Sequence, residues 1–252
     1  MAATYSRSEK RTTDPMPAEI SAETLSLLTR SSTATLTTQL FKRGLRNTFL
    51  HGLAPMNPAA ARFAAPAFTL RYIPAREDLD VLEVFEDYDH PQRLAVESVP
   101  PGHALIMDCR GVSRAASAGD ILITRLVRRG AAAVVSDGSF RDSPHLRELE
   151  FPVFSQGASA MTNLAYHHAV DLQVPIACAG VAIYPGDVLV GDAEGIVCVP
   201  SELAESVARD AAAQTEMEEF ILAKVDGGSP LRGVYPPDEQ TRQEFAALRG
   251  GR

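Results

Sequence analysis

Two short stretches of this sequence hold residue types suited to anion binding and acid–base chemistry. Gly119-Asp120-Ile121-Leu122 opens a segment of helical character, and Arg141-Asp142 begins 22 residues after Gly119. Between them runs Val134-Val-Ser-Asp-Gly138. A glycine turn entering a helix leaves backbone N–H groups free at the positive end of the helix dipole, a site for a carboxylate or phosphate. An arginine grips a carboxylate with paired N–H donors and can hold an adjacent oxyanion. An aspartate beside it offers an oxygen ligand to a divalent cation. Together these groups would bind a 2-oxo acid and stabilise its enolate. Taken singly each is weak: an Arg-Asp dipeptide in a loop reads as a surface pair, and a glycine before a helix reads as a turn.

The elements around these residues follow from pattern. Ala104-Leu-Ile-Met-Asp108 reads as a buried strand, Asp120 to Arg129 as a helix closed by Gly130, and Ala131 to Ser136 as the next strand. Strand, glycine turn, helix, glycine, strand is the order of a parallel crossover. Upstream, helices are expected over Ser21–Arg30 and Thr33–Arg43, the second stopped at Gly44, and Ala67 to Ile73 alternates like a half-buried strand. Downstream, short strands are expected at Phe151–Phe154, Ile176–Val181, Val188–Val190 and Ile196–Val199, with turns at Pro185-Gly-Asp187 and Asp192-Ala-Glu-Gly195. A long helix spans Glu202 to about Lys224, and the last ~25 residues read as loosely ordered.

Composition narrows the function classes. The chain has 252 residues, 45% apolar and 22% charged, enough for a sizeable core. Its formal charge is −8, which argues against a nucleic-acid-binding face. No stretch approaches ~20 uninterrupted apolar residues, so no membrane span is expected. Residues 1–17 read as a disordered leader without the apolar region of a secretory signal. Cys109, Cys178 and Cys198 are sparse, unpaired by spacing and set in strand-like runs, so they read as buried packing in a reducing, cytoplasmic setting. Arg76 to His90 holds seven acids and one base and reads as a solvated face. Adjacent His167 and His168 read as a helix-face pair with one partly buried; ~100° apart on a helix, they could not easily chelate one metal.

The combined string Gly119-Asp-Ile-Leu … Arg-Gly130 … Val-Val-Ser-Asp137-Gly138-Ser-Phe-Arg141-Asp142 … Phe151-Pro-Val-Phe154 resembles the signature of the 4-hydroxy-4-methyl-2-oxoglutarate aldolase family, which also contains the regulator of ribonuclease E activity A. Pro185-Gly-Asp187 and Gly191-Asp192-Ala-Glu-Gly195-Ile-Val-Cys-Val-Pro200 match its closing strands. Leu40-Phe-Lys-Arg-Gly44 and Ala65-Pro-Ala-Phe-Thr-Leu70 fit its opening helix and strand. The resemblance covers roughly Thr33 to Glu219. It implies an α/β, swivelling β/β/α single domain over residues 18–226, with N-terminal helices, a long C-terminal helix and a tail at 227–252.

The resemblance also implies a homotrimer or hexamer with sites at subunit interfaces, a divalent cation (Mg²⁺ or Mn²⁺), and class II-like pyruvate aldolase chemistry with oxaloacetate decarboxylation as a companion. Residue by residue, Gly119, Asp120, Ile121 and Leu122 would bind the substrate carboxylate through their amides, Arg141 its carboxylate and carbonyl oxygens, and Asp142 the metal. Acids late in the C-terminal helix would reach a neighbouring subunit's site; Glu216, Glu218 and Glu219 all fall in that region. The sequence departs from the family pattern at Thr38-Gln-Leu40, in the acidic insert near residue 80, and at Thr162-Asn-Leu-Ala-Tyr-His-His168. The departures bear on the substrate more than the fold. Beside the lyase, a regulator docking on an RNA-degrading enzyme and a related sugar-acid dehydratase or hydrolase stay open.

Overall fold

A computed structural model of the chain describes residues 19–250. The leader expected over residues 1–17 lies outside the described residues. Helices α1 (Ala22–Arg30) and α2 (Thr33–Lys42) are each started by a serine: Ser21 Oγ accepts from the Thr24 amide at 3.1 Å, and Ser32 Oγ from the Thr35 amide at 3.0 Å. Strands β1 (Ala54–Pro55) and β2 (Phe63–Pro74) follow, then α3 (Pro91–Ser98) and β3 (Ala104–Asp108). The centre of the chain is β4 (Ala116–Ala118), α4 (Asp120–Arg129), β5 (Ala133–Ser136), β6 (Ser139–Phe140), the single turn α5 (Ser143–Leu146), β7 (Val153–Ser155) and β8 (Gly157–Ala158). The rest is β9 (His167–Leu172), β10 (Ile176–Cys178), β11 (Val181–Ile183), β12 (Val188–Asp192), β13 (Gly195–Val199), α6 (Ala204–Asp226) and α7 (Glu239–Gly250).

The main sheet runs in the order β1-β7-β5-β3-β2-β12-β13, with β9 also paired to β2. Strands β2, β3, β5 and β7 are parallel, as the crossover pattern requires; β9, β12 and β13 join antiparallel. Long β2 begins upstream of the expected Ala67. Pro66, which lacks a ladder donor, sits where β2 changes partner from β12 to β3, so a residue that reads as a breaker is tolerated within a strand. Strands β4, β6 and β8 form a small parallel sheet of their own.

The fully buried strand β3 alternates between two cores. Leu105 and Met107 face a cluster with Ile123 and Leu126 of α4 and Ala95 and Val96 of α3; Ala104 and Ile106 face one with Cys178 of β10 and Val181 of β11. A third core joins Leu28 of α1, Leu36 and Leu40 of α2, and Val207, Ala208 and Ala211 of α6 to β12 and β13. Gly130 closes α4 in the left-handed region (φ +81°), a conformation open to glycine without a Cβ penalty. No helix among the described residues is long and apolar enough to cross a membrane.

Two expectations are corrected. The C-terminal tail is not loosely ordered throughout: α7 folds back on α6, with Phe245 against Phe220 (ring centroids 5.5 Å apart) and Arg249 paired to Glu216 at 3.2 Å. His167 and His168 lie on strand β9, not a helix, so consecutive side chains leave opposite faces. His167 points into the core. His168 Nδ1 meets Asp80 Oδ1 at 2.8 Å, which ties the acidic insert to the sheet and leaves the Asp80 side chain only 2% exposed. The other acids of the insert are exposed or half-exposed.

Burial at β9 has a measurable consequence. Desolvation, with the Arg110 guanidinium beside it, lowers the His167 pKa from 6.5 to about 4. The folded protein therefore resists a proton that the unfolded chain accepts. The contribution of neutral His167 to stability is complete above pH 6.5 and falls away as pH drops from 6.5 towards 4, by about 3 kcal/mol at most. Unfolding midpoints in urea between pH 7 and pH 4.5 should show this loss, and His167→Gln should flatten it. An unchanged slope in the variant would contradict the assignment.

Candidate active site

The small parallel sheet builds the site. Gly119 directly follows β4, and Arg141-Asp142 directly follow β6, so both stretches emerge from the carboxyl ends of paired parallel strands, where α/β folds commonly place ligands. The Arg141 amide donates to the Ala118 carbonyl at 3.1 Å, which holds the two chains together at this point. Asp142 adopts a left-handed conformation (φ 58°, ψ 31°) and opens α5. Non-glycine residues seldom adopt this geometry, and strain of that kind gathers at functional sites.

Contact here is close. Asp142 Oδ2 accepts from the Asp120 amide, the first of α4, at 3.3 Å, and Arg141 Nε lies 3.4 Å from the same oxygen. Gly119 matters because of what crowds it: a Cβ there would stand 2.5 Å from Asp142 Oδ2 and 2.9 Å from Arg141 Nε. Its φ of −127° and ψ of −174° suit any residue, so the constraint is space, not backbone conformation. The expected Gly119–Leu122, Arg141 and Asp142 are thus brought into one place. Arg141 and Asp142 are about half-exposed, open to a ligand. The Ile121 side chain is 77% exposed, so only its backbone would serve an anion here.

The structure adds a residue that the sequence reading does not single out. His145, on α5, places Nδ1 3.4 Å from Asp120 Oδ2 at the mouth of the site. The cue was its position on the first turn after Arg141-Asp142, with Pro144 starting that turn.

Behind the site, Asp137 is buried, and its carboxylate accepts from the amides of Cys109 (2.5 Å), Gly111 (2.9 Å) and Ala179 (3.1 Å). Burial pushes its pKa up, and those amides oppose the shift. It fixes loops rather than facing solvent. The three cysteines are free and buried, and burial raises the Cys109 pKa to about 12, so their inert packing role holds.

The three candidate glutamates stand apart. Helix α6 packs on α1 and α2 and shares no hydrogen bond or ion pair with the Arg141 site among the described residues. Glu218 accepts from Gln214 at 2.7 Å and from Thr35 at 3.3 Å, and Glu216 pairs with Arg249. Glu219 is exposed and has no such partner among the described residues.

Residues 33–198 match the RraA-like family, described as Aldolase/RraA. The chain belongs to the Aldolase/RraA family. Within it, a Thermus thermophilus protein named 4-hydroxy-4-methyl-2-oxoglutarate aldolase is 31% identical over 140 residues, 56% of this chain and 77% of that protein. A Halalkalibacterium halodurans protein provisionally given the same name is 36% identical over 121 residues, 46% of this chain and 55% of that protein. The chain thus spans about half the length of several curated relatives it matches. The crystal structure of Streptomyces coelicolor RraAS2, described as an unusual member of the RNase ES inhibitor RraA protein family, superposes with a TM-score of 0.70 at 30% identity, covering 80% of this chain and 96% of that one. The Aldolase/RraA match extends from α2 into β13, and so takes in both strands that carry the site.

Proposed function

We propose that this chain is a divalent-metal-dependent carbon–carbon lyase that cleaves a 2-oxo acid through a pyruvate enolate, with oxaloacetate decarboxylation as a companion activity. One observation carries the reading: an arginine, a carboxylate and the first amide of a helix meet over a glycine that leaves them room. The names of the aldolase relatives agree with it.

Among the described residues, no group of three or more His, Cys, Asp or Glu side chains forms a cage for a metal ion. A half-exposed carboxylate such as Asp142 suits a hard cation that keeps most of its waters, so the residues present fit Mg²⁺ or Mn²⁺ better than a structural zinc. When bound, the cation would supply positive charge beside the 2-oxo oxygen. The amides opening α4 take the substrate carboxylate. The Arg141 guanidinium donates to the 2-oxo oxygen and gains strength there as negative charge develops. Gly119 keeps the floor of the site free of side chain. Because α6 does not reach this site within one chain, the reading includes a homotrimer or hexamer in which Glu219, or its neighbours Glu216 and Glu218, faces another subunit's site; mass in solution checks that. The cytoplasm remains its expected setting.

The likeness to the Streptomyces structure favours a second reading, a regulator that binds an RNA-degrading enzyme without chemistry. Pyruvate release from oxaloacetate and from 4-hydroxy-4-methyl-2-oxoglutarate separates the two. Turnover supports the lyase, and its absence from both leaves the regulator.

A further inference from the structure

We propose that His145 is a specificity-determining residue, whose Nε2 accepts a hydrogen bond from a hydroxyl on C4 of the substrate. The proposal deepens the lyase reading and rests on it.

The argument starts at α5. Leu146 is fully buried and anchors this turn in the core, while the His145 amide donates to the Asp142 carbonyl at 3.1 Å. The imidazole is thereby set beside Arg141-Asp142 without being used for packing, and it stays about half-exposed. Its Nδ1 faces Asp120 Oδ2. A carboxylate on that side favours the tautomer with the proton on Nδ1, which makes Nε2 the acceptor. No described residue bonds to Nε2.

Asp120 ties this to the substrate. It is the first residue of α4, and its amide is one of those that would bind the substrate carboxylate. With the carboxylate on those amides and the 2-oxo oxygen at Arg141, the carbons beyond C3 leave across the mouth lined by the first turn of α4 and by α5. His145 is the side chain on α5 that meets α4's Asp120 there. A neutral acceptor at that place suits a hydroxyl donor and offers little to a carboxylate. The substrate class is therefore a 4-hydroxy-2-oxo acid.

The test compares two pyruvate-forming reactions that share the enolate and differ at C4. Wild type, His145→Phe and His145→Gln are assayed with Mg²⁺ on 4-hydroxy-4-methyl-2-oxoglutarate, which has the C4 hydroxyl, and on oxaloacetate, which lacks it. His145→Phe should lower kcat/KM for the hydroxy acid about 10- to 100-fold more than for oxaloacetate. His145→Gln, which keeps an acceptor, should recover part of the difference. Equal losses on both substrates would make His145 a structural prop and overturn the proposal, as would no loss on either. A wild-type protein that decarboxylates oxaloacetate but does not cleave the hydroxy acid would also overturn it, leaving the enolate reading intact. Silence on both substrates would contradict the lyase reading itself.

Discussion

Replacing Arg141 with alanine is expected to lower kcat for pyruvate release by ~10²–10³, the usual cost of removing one preorganised donor to a developing oxyanion. The loss should fall on kcat more than on KM, because the guanidinium binds the enolate oxygen more strongly than the ground-state carbonyl. Arg141→Lys keeps the charge but not the planar fork, so most of the loss should persist. Both variants should fold. The side chain is about half-exposed, and the backbone bond from residue 141 to the Ala118 carbonyl survives either change. If Arg141 served only as a surface partner of Asp142, such a pair would be worth ~0–1 kcal/mol and kinetics would stay near normal. Kinetics on both variants, with circular dichroism as the folding control, distinguish the two.

Gly119→Ala is the second substitution of large expected effect. The added methyl would meet Asp142 Oδ2 at 2.5 Å, Arg141 Nε at 2.9 Å and Arg141 Cγ at 3.0 Å. These are side-chain atoms that can move, so the fold should survive, with a stability loss within about 1 kcal/mol at the start of α4. The atoms that must move are the ones that bind the substrate, and displacement by about 1 Å costs on the order of 10² in rate. The expected outcome is a loss of kcat/KM of that order with a thermal midpoint close to wild type. Full activity would show that Arg141 and Asp142 act from positions other than those seen here.

Much of this site could be read in the sequence because its parts are local. Gly119-Asp-Ile-Leu122 and Arg141-Asp142 each follow a strand end directly, and the helix between them has clear boundaries at Gly119 and Gly130. Strands β4, β6 and β8, which bring the two stretches together, were not legible: each has two or three residues, too few to show a period. The closeness that makes Gly119 necessary is a tertiary fact with no local signature. His145 was invisible for the same reason, since its partner Asp120 lies 25 residues earlier. The His167-His168 pair was misread because two polar residues in a row hide the alternation of β9; burying one histidine against Tyr72 and pairing the other with Asp80 override local pattern. Helix α7 escaped because its stability comes from contacts with α6, Phe245 on Phe220 and Arg249 on Glu216, not from an apolar run of its own.

The most direct test of the central claim is the rate of pyruvate release from oxaloacetate by wild type and Asp142→Asn, before and after exhaustive chelation with EDTA and after return of Mg²⁺ or Mn²⁺. Asn keeps the shape of Asp142 but removes the charge that would hold a hard cation. The account expects chelation to abolish wild-type turnover, either cation to restore it, and Asp142→Asn to stay near background throughout. Undiminished release after chelation, or from Asp142→Asn, would contradict it.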